Sequence, residues 1–255
     1  MTQKIIFITG ATAGFGEATA KLFAKNGWKV VATGRRLERL EKLQNALGKD
    51  RVHIAQMDLT DHASIKSAIS SLPNEFKPID CLLNNGGLAL GLGSIPDIKI
   101  EDWRIMVETN IMGLILTTQE MIPLLKQAGR GASIINIGSV AARNAYPGGN
   151  TYGATKAFVS QFSYNLRTDL AGSDIRVTEL APGMAKSEFM KVRTYGDDDV
   201  NESFYEGLEP ILPEDIANNV WFIANQPDHI NINMIEIMPL CQVPGRPEII
   251  RKYSI

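Results

Sequence analysis

An apolar run rich in β-branched residues, Lys4-Ile-Ile-Phe-Ile-Thr9, is broken by Gly10-Ala-Thr-Ala-Gly14-Phe-Gly16 and then passes into helical periodicity as far as Asn26-Gly27. Strand, glycine turn and helix in that order leave few architectures open. The glycines let backbone approach a bound anion, and the free N–H groups and positive dipole end of the following helix favour a pyrophosphate. A strand that feeds a helix directly reaches its next parallel neighbour by a right-handed crossover.

The rest of the chain repeats the alternation. Strands are expected at Trp28 to Thr33, Arg51 to Met57, Ile79 to Leu83, Ser133 to Gly138, Ile175 to Ala181 and Met234 to Met238. Between them lie helical patterns: Leu37 to Leu47, with leucines 37, 40, 43 and 47 as its buried stripe, about 61 to 71, a segment carrying Trp103, Met106, Val107 and Asn110, one continuing through Phe158, Phe162 and Leu166, and Glu214 to Ala224. The expected fold class is α/β: a Rossmann-type doubly wound parallel sheet of about seven strands, helices on both faces, ligands at its carboxyl edge. At 255 residues and 44% hydrophobic content, one large core suffices, and no repeat or linker divides the chain, so residues 1–255 read as a single domain.

Composition narrows the partner class. A net charge of -2 with no basic block argues against nucleic acid and for a small molecule. Cys81 and Cys241 are far apart and read as buried structural thiols. His53, His62 and His229 lack metal-ligand spacing, so no metal is expected. The N-terminus does not look like a cleavable signal, and no apolar stretch is long enough to span a bilayer, so a soluble cytoplasmic protein without a membrane partner is expected.

The chemistry concentrates in Ser139 to Lys156, SVAARNAYPGGNTYGATK. On a helix, Tyr152 and Lys156 share a face at i,i+4 spacing, close enough for the ammonium to favour phenolate. Tyr-x-x-x-Lys alone also occurs in helices with no chemistry. Here Ser139 precedes it at a strand end and the glycine turn opens the chain, and together these resemble the short-chain dehydrogenase/reductase family over nearly the whole chain, from Ile5 to Pro239. The resemblance implies catalytic roles for Ser139, Tyr152, Lys156 and Asn110, the last holding a water beside Lys156. It also implies cofactor contacts from Thr9, Gly10, Thr12, Ala13, Gly14, Phe15 and Gly16 in the first turn, and from Asp58 and Leu59 near the adenine. Further contacts would come from Asn84, Asn85, Gly86 and Gly87 after the fourth strand, from Tyr152 and Lys156, and from Pro182, Gly183 and Ser187 around the nicotinamide. Asp58 reads equally as a turn carboxylate. Gly86 stands where the family usually has Ala.

Arg35 and Arg36 follow the second strand where an NAD-selective site places an acid. They suit a ribose 2′-phosphate, so NADP (NADPH) is the expected cofactor; the alternative is that they begin a solvated helix face. TGATAGFGE, ATGRRLERL, GLALG, YPGGNTYGATKAF, NLRTDL and ININ resemble the bacterial subgroup acting on 3-hydroxy acids and serine-like compounds, or reducing malonic semialdehyde and sulfoacetaldehyde. A small anionic carbonyl or hydroxy substrate follows, met by Ser139, Tyr146, Tyr152, Arg193 and Gln242, unless Arg193 is a surface group. Residues 184–213 are expected to form a substrate lid, with a solvated acidic run at 197–199. Arg143 is unusual beside Ser139 for that subgroup and is a candidate for altered selectivity. The family also implies a homo-oligomer, a tetramer, through the helices bearing Asn110 and Lys156, with a tail at 240–255 that reaches a neighbour. Two other readings stay open: a catalytically silent NADP-binding sensor, and a reductase of neutral carbonyls.

Overall fold

Seven short apolar runs form parallel strands: β1 (Ile5–Ile8), β2 (Lys29–Gly34), β3 (Val52–Gln56), β4 (Cys81–Asn84), β5 (Ser133–Ile137), β6 (Arg176–Pro182) and β7 (Met234–Ile237). The computed structural model describes residues 3–95 and 97–244. The strands make one sheet in the order β3-β2-β1-β4-β5-β6-β7, whose direction of winding reverses between β1 and β4. All six pairings are parallel, with Phe7 opposite Leu82 and Leu83 opposite Ile135 at the centre. Every residue of β1, β4, β5 and β6 is buried, as a sheet covered on both faces requires.

Two apolar layers seal the faces. On one, α1 (Gly14–Lys25), α2 (Leu37–Leu47) and α9 (Pro213–Ala224) contribute Ala20, Phe23, Leu40, Leu43, Ile216 and Val220. Phe23, Trp28 and Trp221 meet edge to face, with the Phe23 centroid 5.0 Å from both indoles, and this fastens α1 to α9 and to the turn that follows α1. On the other, α3 (His62–Ser70), α5 (Gly113–Ala128) and α6 (Asn150–Asp169) supply Ile65, Met121, Leu125 and Leu166. Before α5, α4 (Ile100–Val107) passes through a wide π turn, Glu108–Met112, that contains Asn110.

Some expectations need correction. Leu37 is 40% exposed, because it opens α2 at the rim of the sheet, and the buried stripe begins at Leu40. Cys81 is a buried thiol, but Cys241 is exposed on the chain leaving β7. Segment 184–213 carries two short helices, α7 (Phe189–Arg193) and α8 (Asp198–Tyr205), and an isolated bridge between Ala185 and Ile211. Asp197 is exposed and its Oδ1 accepts from the Val200 N–H at the start of α8. Of the tail at 240–255, residues 245–255 lie outside the described residues.

Candidate active site

The carboxyl ends of the strands open into one cleft of about 1090 Å³, running from Arg35 and Arg36 at one end to Tyr146, Tyr152 and Arg193 at the other. Its floor is the first glycine turn. Gly10 takes φ +68°, a left-handed conformation that suits glycine. α1 begins after Ala13, which offers no side-chain cap, so the first N–H groups of the helix face the cleft unclaimed by a side chain. Thr12, Ala13, Gly14 and Phe15 line the cleft with Gly10.

Other expected residues stand behind the wall. Thr9 is buried, and its Oγ1 accepts from the Asn85 and Gly86 N–H groups at 3.0 and 2.8 Å, which ties the first turn to the chain after β4. Gly16 sits directly under the Gly10 carbonyl and Asn85. Asn84 does not reach the cleft: its Nδ2 donates inward to Thr118 Oγ1 and Asn136 Oδ1, because alternation along β4 turns it toward α5. Asn85, Gly86, Gly87, Asp58, Leu59, Pro182, Gly183 and Ser187 all line the cleft. The Asp58 carboxylate accepts from Thr60 N–H and Oγ1–H, both at 2.9 Å, which is the geometry of a turn residue.

At the first end, Arg36 donates through Nε and Nη2 to Thr12 Oγ1 and through Nη1 to Glu188 at 2.8 Å. Arg39 reaches the other oxygen of Glu188 at 2.7 Å. Burial pushes the Glu188 carboxyl up, but the hydrogen bonds from Arg39 and Arg36 outweigh it and hold the group below its ordinary value. Arg39 and Glu188 were not singled out from sequence. Arg39 had a signal, since it lies three residues after Arg36 on the same helix face; Glu188, 149 residues from Arg39, had none.

At the other end, Ser139 leaves β5 and its Oγ accepts from Ala141 N–H at 3.1 Å. Tyr152 and Lys156 come from the first turns of α6. Lys156 is 6% exposed, its Nζ lies 5.8 Å from the Tyr152 ring centroid, and it donates to Ile137 O at 2.7 Å. Burial draws its pKa down to about 8 against the opposing charge of Glu179. Tyr152 departs from expectation. Desolvation pushes its phenol well above the ordinary value, while a hydrogen bond with Ser139 and the Arg193 guanidinium pull the other way. Burial thus opposes the phenolate that the Lys156 spacing was expected to favour. Asn110 Oδ1 accepts from Leu88 N–H, and its Nδ2 donates to Leu88 O and Thr155 Oγ1. That side chain clasps the chain after β4 to the helix that carries Lys156.

Arg193, in α7, is also 6% exposed. It donates to Gly91 O, Gly148 O and the Tyr146 hydroxyl, which leaves one N–H on each terminal nitrogen. Its guanidinium lies 5.9 Å from the Tyr152 ring centroid. Gln242 lines the same cleft, its Oε1 accepting from Met184 N–H beside Gly183. Arg143 lines the cleft but spends its charge on Glu179 and Glu236. Among the described residues no cluster of His, Cys, Asp or Glu could hold a metal, and no helix is long and apolar enough to cross a membrane.

The chain is 50% identical over 238 residues to a serine 3-dehydrogenase of Agrobacterium fabrum, covering 93% of this chain and 94% of that protein. It is 50% identical over 239 residues to an NADP-dependent 3-hydroxy acid dehydrogenase, YdfG, of Salmonella typhimurium, covering 93% and 96%. A sulfoacetaldehyde reductase of Chromohalobacter salexigens is 47% identical over 239 residues, covering 93% and 95%. A solved structure described as the closed form of serine dehydrogenase complexed with NADP+ superposes with a TM-score of 0.94 at 46% identity, over 97% of this chain and all of that one. The model of the short chain dehydrogenase family matches residues 4–197, and with a glycine turn at one end of the cleft and Ser139, Tyr152 and Lys156 at the other, the chain belongs to that family.

Proposed function

We propose that the protein is an NADP-dependent oxidoreductase that interconverts a small anionic aldehyde or ketone with its hydroxy compound, of the 3-hydroxy acid, serine or malonic semialdehyde type or the sulfoacetaldehyde type. The observation that carries this reading is the single cleft in which an uncapped helix N-terminus and two arginines lie at one end, and a tyrosine, a serine and a buried lysine at the other. The residues fit the cofactor. α1 offers N–H groups to a pyrophosphate, and Arg35 and Arg36, which line the cleft, suit a 2′-phosphate, with Arg39 joined to Arg36 through Glu188. When bound, NADPH supplies the hydride.

The chain supplies the rest. Ser139, hydrogen-bonded to Tyr152, turns its hydroxyl to orient the substrate carbonyl, and Tyr152 donates the proton that completes the hydroxyl group. Lys156 would hold the nicotinamide ribose and, with Asn110 Oδ1 near it at Gly87, would return a proton to Tyr152 by way of water. Segment 184–213 is assigned as the substrate lid; Arg193 anchors it to the chain at Gly91 and Gly148 and keeps two N–H groups for a carboxylate or sulfonate. Ile105, Val107, Met112 and Tyr164, exposed on the elements that flank Asn110 and Lys156, support a homo-oligomer, read here as a tetramer in the cytoplasm.

Two measurements test this. The ratio of kcat/KM with NADPH to that with NADH is expected to be at least about tenfold, as charge-assisted bonds to the 2′-phosphate require; an NADH preference refutes the arginine assignment. In an NADPH-oxidation panel, malonic semialdehyde or sulfoacetaldehyde is expected to exceed a neutral aldehyde of equal size by about tenfold or more. Equal rates on the neutral aldehyde sink the anion role of Arg193, and no oxidation with any member favours a silent binder.

A further inference from the structure

α6 lays a polar seam on the sheet where a helix normally buries an apolar stripe. Lys156, Ser160 and Ser163 recur at one-turn spacing, and each meets a polar partner. Lys156 Nζ donates to Ile137 O at 2.7 Å, Ser160 Oγ to Glu179 Oε2 at 2.9 Å, and Asn136 Nδ2 to Ser163 Oγ at 2.9 Å. Glu179 is the costly member of the seam. It sits on β6 with no exposed surface, and a carboxylate so placed is tolerated only with a counter-charge. Arg143, in the connection after Ser139, provides it at 2.7 Å and extends to Glu236 on β7 at 3.3 Å.

The second oxygen of Glu179 is aimed elsewhere. Oε1 meets no hydrogen-bond donor among the described residues and lies against Gly138, where any Cβ would collide with it. Gly138 adjoins Ile137, whose carbonyl takes the Lys156 ammonium. The Glu179 carboxylate thus lies against the residue that follows the Lys156 acceptor, in a buried setting where screening is weak.

We propose that Glu179 is a positioning residue for the Tyr152–Lys156 pair: fixed in place by Arg143 and Ser160, its carboxylate keeps the Lys156 ammonium charged and drawn to the end of β5. The inference rests on the catalytic reading of Lys156 given above. The groups facing Lys156 are Tyr152 on α6 itself, Glu179 on β6 with Arg143 and Glu236 behind it, and the uncharged Asn110 across Gly87. Burial favours loss of the lysine proton and Glu179 opposes it. Neutralising Glu179 therefore makes Lys156 lose its proton at lower pH.

The test is the pH profile of kcat/KM for NADPH-dependent carbonyl reduction by the full chain. Its alkaline limb reports the coupled pair. Glu179→Gln is expected to move that limb down by about one pH unit. Glu179→Asp, which retracts the charge by one methylene, should move it down by less. Ser160→Ala, which removes one hydrogen bond to Glu179 but leaves its charge in place beside Arg143, should move it by less than Glu179→Gln does. A limb unmoved in Glu179→Gln, or moved as far in Ser160→Ala, overturns the proposal; if Glu179→Gln does not fold, an unmoved limb in Glu179→Asp does so. A wild-type chain with no turnover would instead fail the reading of the site itself.

Discussion

Tyr152→Phe is expected to lower kcat for carbonyl reduction about 10³-fold while leaving the Kd for NADPH within about twofold, since proton transfer by a placed side chain contributes on the order of 10²–10⁴. The substitution removes one hydroxyl and little else. The Tyr152 ring packs at 5.3 Å from Phe189, a contact that phenylalanine keeps, and the cofactor end of the cleft lies on other elements. In the proposed mechanism the hydroxyl, whose proton desolvation helps retain, donates it as negative charge develops on the substrate oxygen. An interaction made chiefly in the transition state is lost from kcat and kcat/KM alike, not from KM. Stopped-flow NADPH oxidation with a saturating small aldehyde, beside a fluorescence titration of NADPH, separates the two quantities. A variant that retains more than a tenth of wild-type kcat would remove Tyr152 from the chemistry.

The sequence made some of this site legible because the relevant residues lie close together along the chain. Tyr152 and Lys156 are one helical turn apart, and the strand, turn and helix from Ile5 to Lys25 are contiguous. Each strand boundary read from periodicity falls within about two residues of its position in the sheet, since strands buried on both faces are continuous apolar runs. What stayed hidden depends on long-range pairing. Arg143 reads as an odd cation beside Ser139 until Glu179 and Glu236 arrive from positions 36 and 93 residues away. Arg193 reads as a surface or anion-binding group, yet its fixed partners are carbonyls at Gly91 and Gly148. The helices α7 and α8 are too short to declare themselves by periodicity and are held by tertiary contacts, Tyr195 to Asp102 and Tyr205 to Ala185 O among them. The direction of the Tyr152 shift was also beyond the sequence, because i,i+4 spacing shows a nearby ammonium but not the burial that outweighs it.

Gly16→Ala is expected to raise the Kd for NADPH more than about tenfold and to cost about 2 kcal/mol of stability, the usual scale for forcing a methyl into a packed site. The added Cβ would collide with the Gly10 carbonyl oxygen and come within 2.7 Å of Asn85 Nδ2. Neither neighbour is a loose side-chain end. The Gly10 oxygen belongs to the turn backbone, and Asn85 Nδ2 is itself fixed by bonds to Thr9 O at 2.8 Å and Gly10 O at 3.0 Å. Relief therefore requires α1 to move off β1 or the Gly10 peptide to shift toward the cleft. The first strains the Phe23 contacts to Trp28 and Trp221, and the second narrows the space over the helix N-terminus that suits the pyrophosphate. For a chain of this length the stability loss corresponds to a fall in Tm of about 4–8 °C. Calorimetry with and without NADPH measures both effects, because a ligand at free concentration L that binds only the folded state stabilises it by RT ln(1 + L/Kd) and so raises Tm less as Kd rises. A variant with wild-type Tm and an undiminished NADPH-induced rise would show that the turn does not hold the pyrophosphate in the way its geometry requires.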